Sequence, residues 1–465
     1  MKKLIYIAVL TLMVAACEQD FEEINTNLNE PESVTGAFLL PTVIFDIAEE
    51  SVTNSKTLGD IVMQYAANYE FNDTDIYNWG GSGQLWDFYA TLQDVQDIET
   101  YGVEVGLPNY EAIGLILKSY IFSLLNDAYG DVPYSQANQA TAGNFTPAYD
   151  AQQDIYTGIF ADLERANGLL TDGPIDGDIL FGGDPLLWQK LANSLHVRLL
   201  MRTAGVQDVS SELSKIVNDP ATYPLMVSNA DNAIYDFSGA LPDISPISAG
   251  RGRAYEYYLS IPTTHLVNTL VELQDPRLEE WLNLNELPDY LGVAPGQTLG
   301  DVGRPDAFSQ RNPKYFDESG LVDGILMTFS ELNFILAEAI EQGYLEGDAK
   351  TYYETAVQAS FDQWNVPMPA NYLTETAAYE AGNLEQIAVQ KWLSLWQNSM
   401  EAWFDWKRTG RPTFIQAGPG NVNGDRVPVR LMYPGIEQSV NADNYNAALG
   451  RMGADNINTR VWWDQ

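Results

Sequence analysis

The segment SELNFILAEAIEQGYLEGDAKTYYETAVQASF at residues 330–361 decides the fold, because its apolar residues recur twice at the spacing of a helix face. The first run consists of Leu332, Leu336, Ala339 and Ile340. Gly343 interrupts that run, and Asp348 is placed to begin a second helix. The second run consists of Tyr352, Ala356, Ala359 and Phe361. Both runs together span about one tetratricopeptide repeat of 34 residues, which predicts a helix pair with small residues at its contact.

Two earlier segments carry the same helical periodicity. Asp150 and Gln153 fit a capping box at the start of a helix. One face of that helix consists of Ile155, Ile159, Leu163, Ala166 and Leu170. Asp184 followed by Pro185 predicts the start of another helix, and Gly205 predicts its end. Its apolar stripe consists of Leu187, Leu191, Leu195 and Leu199.

A fourth helix is predicted from Asn383, with Gln386 three residues later, to a stop at Gly410. Its apolar face consists of Ile387, Trp392, Leu395, Trp396 and Trp403. Long stretches rich in Gly, Pro, Asn and Asp separate these helices, at residues 71–84, 216–255 and 283–325. Continuous strand alternation is scarce along the chain. The pattern predicts a mainly α-helical chain with large loops and no linker into a second domain.

The composition excludes several classes of function. The chain has 465 residues with 64 acidic and 24 basic side chains, which gives a formal charge of -40. Its 45% hydrophobic content is too high for a disordered protein. A strong negative field opposes nucleic acids, anionic headgroups and polyanionic glycans, whereas a neutral ligand is not repelled. The composition therefore predicts no nucleic-acid partner and favours a neutral ligand.

The N-terminus has the features of a targeting segment. Lys2 and Lys3 precede an apolar stretch of 13 residues at 4–16, which is too short to span a bilayer. Cys17 is the only cysteine, and Val-Ala-Ala-Cys at 14–17 resembles a bacterial lipobox. We therefore predict a lipoprotein signal peptide at 1–16 and lipidation at Cys17; a cleaved signal with a chance cysteine is the alternative. The acidic stretch at 18–23 resembles the surface-export signal of Bacteroidetes-type lipoproteins, although a solvated linker looks similar.

Several motifs that keep their order along the chain resemble the SusD/RagB family of outer-membrane glycan-binding lipoproteins. They are Ile-Asn-Thr-Asn-Leu-Asn-Glu-Pro at 24–31, Asn-Asp-Ala-Tyr-Gly-Asp-Val-Pro-Tyr at 126–134, Asp-Pro-Arg-Leu at 275–278, Met-Thr-Phe-Ser-Glu at 327–331 and Val-Trp-Trp-Asp at 461–464. No single one of these motifs is a catalytic signature, but together they cover nearly the whole sequence.

This resemblance implies a single SusD-like domain of tetratricopeptide-like helix pairs with a large, loop-rich ligand-binding half. The expected organisation is a lipidated tether with an Asn-rich start at 17–40, followed by the domain at 41–465. The resemblance also implies a location at the outer membrane facing the cell exterior, and a SusC-like TonB-dependent transporter as partner. Members of the family bind glycans and catalyse no reaction.

The loop at 72–86 carries the best candidates for sugar contacts. A sugar ring offers an apolar face to a flat aromatic side chain and a polar rim to amides and carboxylates. Trp79 lies in a Gly-rich, polar stretch with no helical neighbours, and the segment falls where SusD-like proteins commonly place ligand contacts. Trp86 is a second candidate, although a nearby helix face competes for it. Tyr77, Asn78 and Asp73 are the candidate polar partners.

The middle of the chain adds weaker candidates. Trp281 and Tyr290 lie in the region that contributes a second ligand contact in the family, and Arg304 and Arg311 are candidate hydrogen-bond donors. The remaining tryptophans are predicted to be structural: Trp188, Trp364, Trp392, Trp396, Trp403, Trp406, Trp462 and Trp463.

Other chemistry receives little support. His196 and His265 are the only histidines, and no zinc, dinucleotide or phosphate-loop motif is present. No cofactor or catalytic metal is therefore predicted, although the acids from Asp73 to Asp75 leave a structural calcium ion open. A glycoside hydrolase, which needs two carboxylates, and a structural or adhesion lipoprotein remain alternatives. Among neutral glycans, a β-glucan such as laminarin is the best guess, with mannan and α-glucan open.

Overall fold

The structure is a computed structural model that describes residues 35–248, 259–284, 288–298, 300–315 and 322–465. Cys17 and the signal peptide lie outside the described residues. The longer helices are α1 Gly36–Asn54, α2 Phe88–Val105, α3 Pro108–Tyr129, α4 Gln152–Leu169, α5 Pro185–Thr203, α6 Ser210–Asn218, α7 Thr264–Glu272, α8 Arg277–Trp281, α9 Phe329–Glu341, α10 Ala349–Gln363, α11 Leu384–Ser394, α12 Glu401–Thr409 and α13 Ala442–Met452. The strands are β1 Ala66–Asn68, β2 Ala233–Tyr235, β3 Ser260–Pro262, β4 Leu282–Asn283, β5 Gln310–Arg311 and β6 Gly324–Met327.

Helices packed in consecutive pairs form one half of the molecule. Helix α3 is buried on nearly every side, as a helix that is apolar all round must be. It packs against α2 and α4, and α4 packs in turn against α5. Gly106, in the left-handed conformation, ends α2 and allows the immediate reversal into α3. This arrangement confirms the expected mainly helical fold built from helix pairs.

The helix pair predicted at residues 330–361 is confirmed. Thr328 caps α9 by accepting a hydrogen bond from the backbone N–H of Glu331 at 3.1 Å, and Asp348 caps α10 through the N–H of Lys350 at 3.1 Å. Gly343, with φ of 78°, turns the chain between the two helices. Ala337 and Ala356 are fully buried in the core that α9 and α10 share, so small residues do permit the close contact.

The two helices predicted before this pair differ in how they begin. Asp184 caps α5 as expected, since its side chain accepts from the N–H of Leu186 at 2.9 Å. The capping box at Asp150 is wrong, because Ala151 occupies the cap position. The carboxylate of Asp150 instead accepts the backbone N–H groups of Tyr134 and Ser135 at 2.9 and 2.8 Å. Asp150 therefore closes the 130–135 turn rather than the helix.

The single helix predicted from Asn383 to Gly410 is wrong in one respect. Asn383 does cap α11 through the N–H of Gln386 at 3.1 Å. The chain then leaves the helix after Ser394, because Gln397 and Ser399 take positive φ values of 66° and 43°. It resumes as α12, whose last turn ends at Gly410 as expected.

Short strands join distant parts of the loop-rich half. Each of the three sheets in the described residues has two antiparallel strands: β1 with β3, β2 with β6, and β4 with β5. The stretches predicted as irregular, 216–255 and 283–325, therefore contain strands of two to four residues. Since each strand pairs with a partner far away in the sequence, local patterning could not reveal them.

The core contains most of the tryptophans. The predicted structural role is confirmed, since these side chains are buried or half-buried: Trp188, Trp364, Trp392, Trp396, Trp403, Trp406, Trp462 and Trp463. Buried ion pairs link helices across the core, as between Arg198 on α5 and Glu331 on α9 at 2.6 Å. None of the helices in the described part of the chain is long and apolar enough to cross a membrane.

Candidate functional site

The loop at residues 71–87 lies on a platform built from three other segments. Asn72 Nδ2 donates to the carbonyl of Gln297 at 2.8 Å, and the N–H of Val422 donates to the carbonyl of Ile76 at 2.8 Å. Gly81 approaches the third segment so closely that a Cβ there would lie 2.2 Å from the carbonyl oxygen of Tyr433. One side-chain contact and two backbone contacts therefore join the loop to three other segments. We call the surface formed by residues 71–87 the loop surface.

Trp79 is half-buried at the centre of this loop surface. Its indole N–H donates to the carbonyl of Thr74 at 3.0 Å, which sets the orientation of the ring. The ring makes edge contacts with Tyr77 and Trp403, with centroids 6.2 and 5.9 Å away. The adjacent Gly80 has open space where a side chain would be. Trp79 is thus held in place by the core while the residue keeps part of its surface exposed.

The predicted polar partners of Trp79 separate into exposed and buried groups. Asn78 and Asp73 are both exposed, and Asn78 Nδ2 donates to Asp73 Oδ1 at 2.8 Å. Together they present an amide and a carboxylate beside Trp79. Tyr77 has only 3% of its surface exposed, and its hydroxyl accepts a hydrogen bond from Gln64 Nε2 at 3.4 Å. Tyr77 therefore supports the Trp79 ring from below and is not itself a contact surface for sugar, which corrects the expectation for this residue.

Trp86 lies in an aromatic cluster next to the loop surface. Its ring is half-buried and contacts the rings of Tyr89, Tyr129 and Tyr433 at centroid distances of 5.1, 5.1 and 6.1 Å. Tyr129 and Tyr433 stack in parallel at 5.8 Å. The helix face does compete for Trp86, as the sequence suggested, since three aromatic rings contact it.

The candidates from the middle of the chain are placed elsewhere. Trp281 has no exposed surface, because Trp396 and Trp364 pack against it at centroid distances of 4.5 and 5.4 Å. Its assignment as a sugar platform is corrected accordingly. Tyr290 is half-buried, and its pKa is raised by burial and by the nearby Glu279.

The two arginine candidates also separate by burial. Arg311 is buried and pairs with Asp60 at 2.7 Å, so its guanidinium serves the core. Arg304 is largely exposed and its nearest acid is Asp306 at 3.3 Å. Of the two, only Arg304 remains available to a ligand.

Asp75 anchors the loop from within. Both of its carboxylate oxygens accept hydrogen bonds from Asn68, one from the backbone N–H and one from the side-chain amide, each at 2.9 Å. Burial raises the pKa of Asp75 to about 7. Asp75 therefore does not face solvent together with Asp73.

Among the described residues, no group of three or more His, Cys, Asp or Glu side chains is placed to hold a metal ion.

Phe71 is an exposed aromatic residue that the sequence reasoning missed. It opens the same loop, has 78% of its surface exposed and takes a positive φ of 55°. Single exposed apolar side chains are common on protein surfaces, so Phe71 is a candidate only because it lies in the same loop as Trp79. Its position immediately before Asn72 was the signal that could have added it to the candidates.

The histidines have structural environments. His196 is buried and stacks on Phe160 at 5.2 Å, and burial lowers its pKa to about 4. His265 packs beside Phe414 at 5.1 Å.

The loop surface itself offers stacking, an amide and a carboxylate, which suits the recognition of a polyhydroxylated ligand.

The chain matches the SusD-like family, described as starch-binding and associating with the outer membrane, over residues 28–434. The chain therefore belongs to the SusD-like family. It is a glycan-binding protein of the outer membrane and, like the other members of that family, it is not an enzyme.

Solved structures agree with this assignment. A SusD homologue from Bacteroides fragilis is 26% identical with a TM-score of 0.81, and the match covers 93% of this chain and 100% of the other. A chitin-binding protein is 28% identical with a TM-score of 0.81 and the same coverage, 93% and 100%. A chitin-binding SusD homologue from Flavobacterium johnsoniae is 23% identical with a TM-score of 0.78 over 91% and 98%, and at that identity shows the fold alone. No curated protein sequence matches the chain.

Proposed function

We propose that this protein captures a neutral, β-linked polysaccharide at the loop surface and passes it to a SusC-like TonB-dependent transporter. The single observation that carries the proposal is Trp79, a half-buried residue held by Thr74 and Trp403 beside the exposed Asn78 and Asp73. Stacking of one sugar on about 100 Å² of such a ring contributes roughly 2.5 kcal/mol at most. Several weak contacts along a polymer then suffice for reversible capture.

The charge of the protein supports a neutral ligand. With 64 acidic and 24 basic residues, the surface repels uronic acid and sulfated chains at a distance. On the loop surface itself, Asp73 is an exposed carboxylate that would face an anionic ligand directly. The chitin-binding relative at 28% identity makes chitin a leading neutral candidate beside the β-glucan laminarin.

The mode of attachment is also part of the proposal. We infer that Cys17 carries a lipid that holds the protein on the outer face of the outer membrane, where it meets both glycan and transporter. A Cys17→Ser variant is expected to leave the membrane fraction, as measured by fractionation and by the mass of the N-terminal peptide. Retention of Cys17→Ser in the outer membrane in the absence of the transporter would argue against the lipid anchor.

Affinity gels test the ligand class directly. The purified protein would be run through gels containing laminarin, glycol chitin, mannan, starch or alginate. We expect retardation by laminarin or glycol chitin and none by alginate. Retardation by alginate alone would refute the neutral-ligand proposal, and Arg304 would then be the first residue to test. A reducing-sugar assay on the same glycans is expected to show no release of products.

A further inference from the structure

Two cavities meet along the outer face of α10, far from the loop surface in sequence. The first, of about 660 Å³, lies between the end of α10 and the β2–β6 ladder. The second, of about 620 Å³, is a shallow, open depression between residues 228–230 and the middle of α10. Asn229 and Asp362 line both cavities, so the two form one elongated depression. We call it the α10 groove.

The α10 groove contains polar groups that the fold leaves without partners. Gln397 is only 3% exposed, lines the first cavity and has no hydrogen-bond partner for its Nε2 among the described residues. The indole N–H of Trp364 in the same wall is likewise unpartnered within the described part of the chain. Asn229 donates through Nδ2 to the carbonyl of Ala359 at 2.8 Å, but its buried Oδ1 has no donor there. These atoms have almost no accessible surface, so the polar groups that a ligand in the groove meets first are the exposed ones of its lining, Asp362 and Asn365.

Each of the two depressions is lined by an aromatic side chain. Trp364 lines the first cavity, and its position is fixed by edge contacts with Trp281 and Tyr315 at 5.4 and 5.7 Å. Phe329 lines the second cavity and is half-buried. Aromatic rings separated by amide and carboxylate groups along a groove suit a chain of several sugars better than a single small molecule.

The charge of the groove restricts the ligand. Asp236, Asp323 and Asp362 line the first cavity, and the one lysine there, Lys314, is already paired with Glu280. Burial and the neighbouring Asp236 raise the pKa of Asp323 to about 7. An anionic sugar would add to this repulsion, whereas hydroxyl groups can donate to the carboxylates.

We propose that the α10 groove is a second glycan-binding site, which takes an extended stretch of the same neutral polysaccharide that the loop surface captures. This proposal rests on the proposed function for the class of ligand. The α10 groove itself shares no residue with the loop surface. Two separate sites on one chain increase the avidity for a polymer without requiring a tight contact at either.

Calorimetric titration of the full chain in detergent with chitohexaose and with laminarihexaose tests the groove. Asp362→Arg places a long cation at the junction of the two cavities, where the native side chain is exposed and accepts one hydrogen bond from Gln358 at 2.8 Å. Glu346→Arg is the matched control, because it makes the same charge change at an exposed position in the turn between α9 and α10, outside the groove. We expect two hexasaccharides per chain for the wild type and for Glu346→Arg, and one for Asp362→Arg.

Hydrogen exchange tests whether the binding site that Asp362→Arg is expected to lose is the α10 groove. Binding is expected to slow exchange in residues 354–365 and 228–236 of the wild type and of Trp79→Ala, but not of Asp362→Arg. If Asp362→Arg behaves like Glu346→Arg while Trp79→Ala loses all binding, the groove is refuted and the proposed function stands. If the wild type binds neither hexasaccharide and no neutral glycan in the affinity gels, both proposals fail.

Discussion

At the scale of single residues, the loop surface depends on how closely its glycines approach the rest of the protein. Gly81 lies against the backbone of Tyr433, where a Cβ would be 2.2 Å from the carbonyl oxygen. Gly80, its neighbour, has no atom within 4 Å of the same position. Alanine substitution at Gly80 is therefore a matched control for alanine substitution at Gly81.

Gly81→Ala is expected to push the loop away from residue 433 and to weaken glycan binding, because backbone atoms cannot yield as a flexible side chain can. Gly80→Ala has room for its methyl group and is expected to leave stability and binding nearly unchanged. Thermal melts and affinity gels on the two variants would check this. Equal effects from both substitutions would show that the close approach at Gly81 does not hold the loop.

A second prediction at this scale concerns Asp323. Because its pKa in the folded protein lies near 7 and above the ordinary value of 3.8, the folded protein keeps a proton that the unfolded chain releases. The free energy of unfolding should therefore fall as the pH rises from about 4 to about 7. Asp323→Asn removes this ionisation and should flatten that part of the stability profile. Urea melts at several pH values would measure it, and an unchanged slope would contradict the argument.

Residue roles were predictable where local context decides them. The tryptophans on helical stripes were identified correctly as core, whereas the role of Trp79 in sugar stacking stays a prediction for a residue that the structure leaves half-buried. Trp281 was misassigned because its burial comes from Trp364 and Trp396, more than 80 residues away along the chain. Nothing in its own surroundings shows those contacts.

At the scale of secondary-structure elements, buried ion pairs fasten helices that are far apart in sequence. Arg198 on α5 meets Glu331 on α9 through two hydrogen bonds of 2.6 and 2.5 Å. Both side chains are almost completely buried. Arg304 and Asp306 form the contrasting case, since both are largely exposed.

Glu331→Ala should destabilise the protein by about 3–5 kcal/mol, because it leaves the buried guanidinium of Arg198 without its carboxylate. Asp306→Ala should have no measurable effect, since exposed ion pairs contribute little. Chemical denaturation of both variants would test the contrast. A loss below about 1 kcal/mol for Glu331→Ala would show that water or another acid replaces the lost partner.

Elements with clear caps were predictable, and those defined by distant partners were not. Asp184, Asn383 and Asp348 all cap their helices as the sequence indicates. The break between α11 and α12 was missed, since Gln397 and Ser399 give no local sign of positive φ. The β2–β6 pair joins residues about 90 apart, beyond the reach of periodicity.

At the scale of the whole molecule, two groups of buried ion pairs join helices of the helical half. Arg202 on α5 contacts Asp127 on α3 and Glu401 on α12 at 3.3 and 2.5 Å. Lys391 on α11 reaches Asp405 on α12 at 2.7 Å. These contacts, together with a large apolar core and a smaller one between α9 and α10, tie the helices into one unit.

We therefore expect a single cooperative thermal transition for the described domain. Scanning calorimetry would measure it, with the calorimetric and van't Hoff enthalpies in agreement. Two resolved transitions would mean that the helix pairs and the loop-rich half unfold separately.

The most direct test of the central claim, glycan capture at the loop surface, is calorimetric titration of the wild type and Trp79→Ala with one neutral polysaccharide that retards the wild type in gels. Trp79→Phe serves as the control, because it keeps a ring against Trp403. We predict that Trp79→Ala loses the loop-surface binding event and weakens overall binding by about tenfold or more, whereas Trp79→Phe keeps most of it. An isotherm for Trp79→Ala identical to that of the wild type would contradict the assignment of the site.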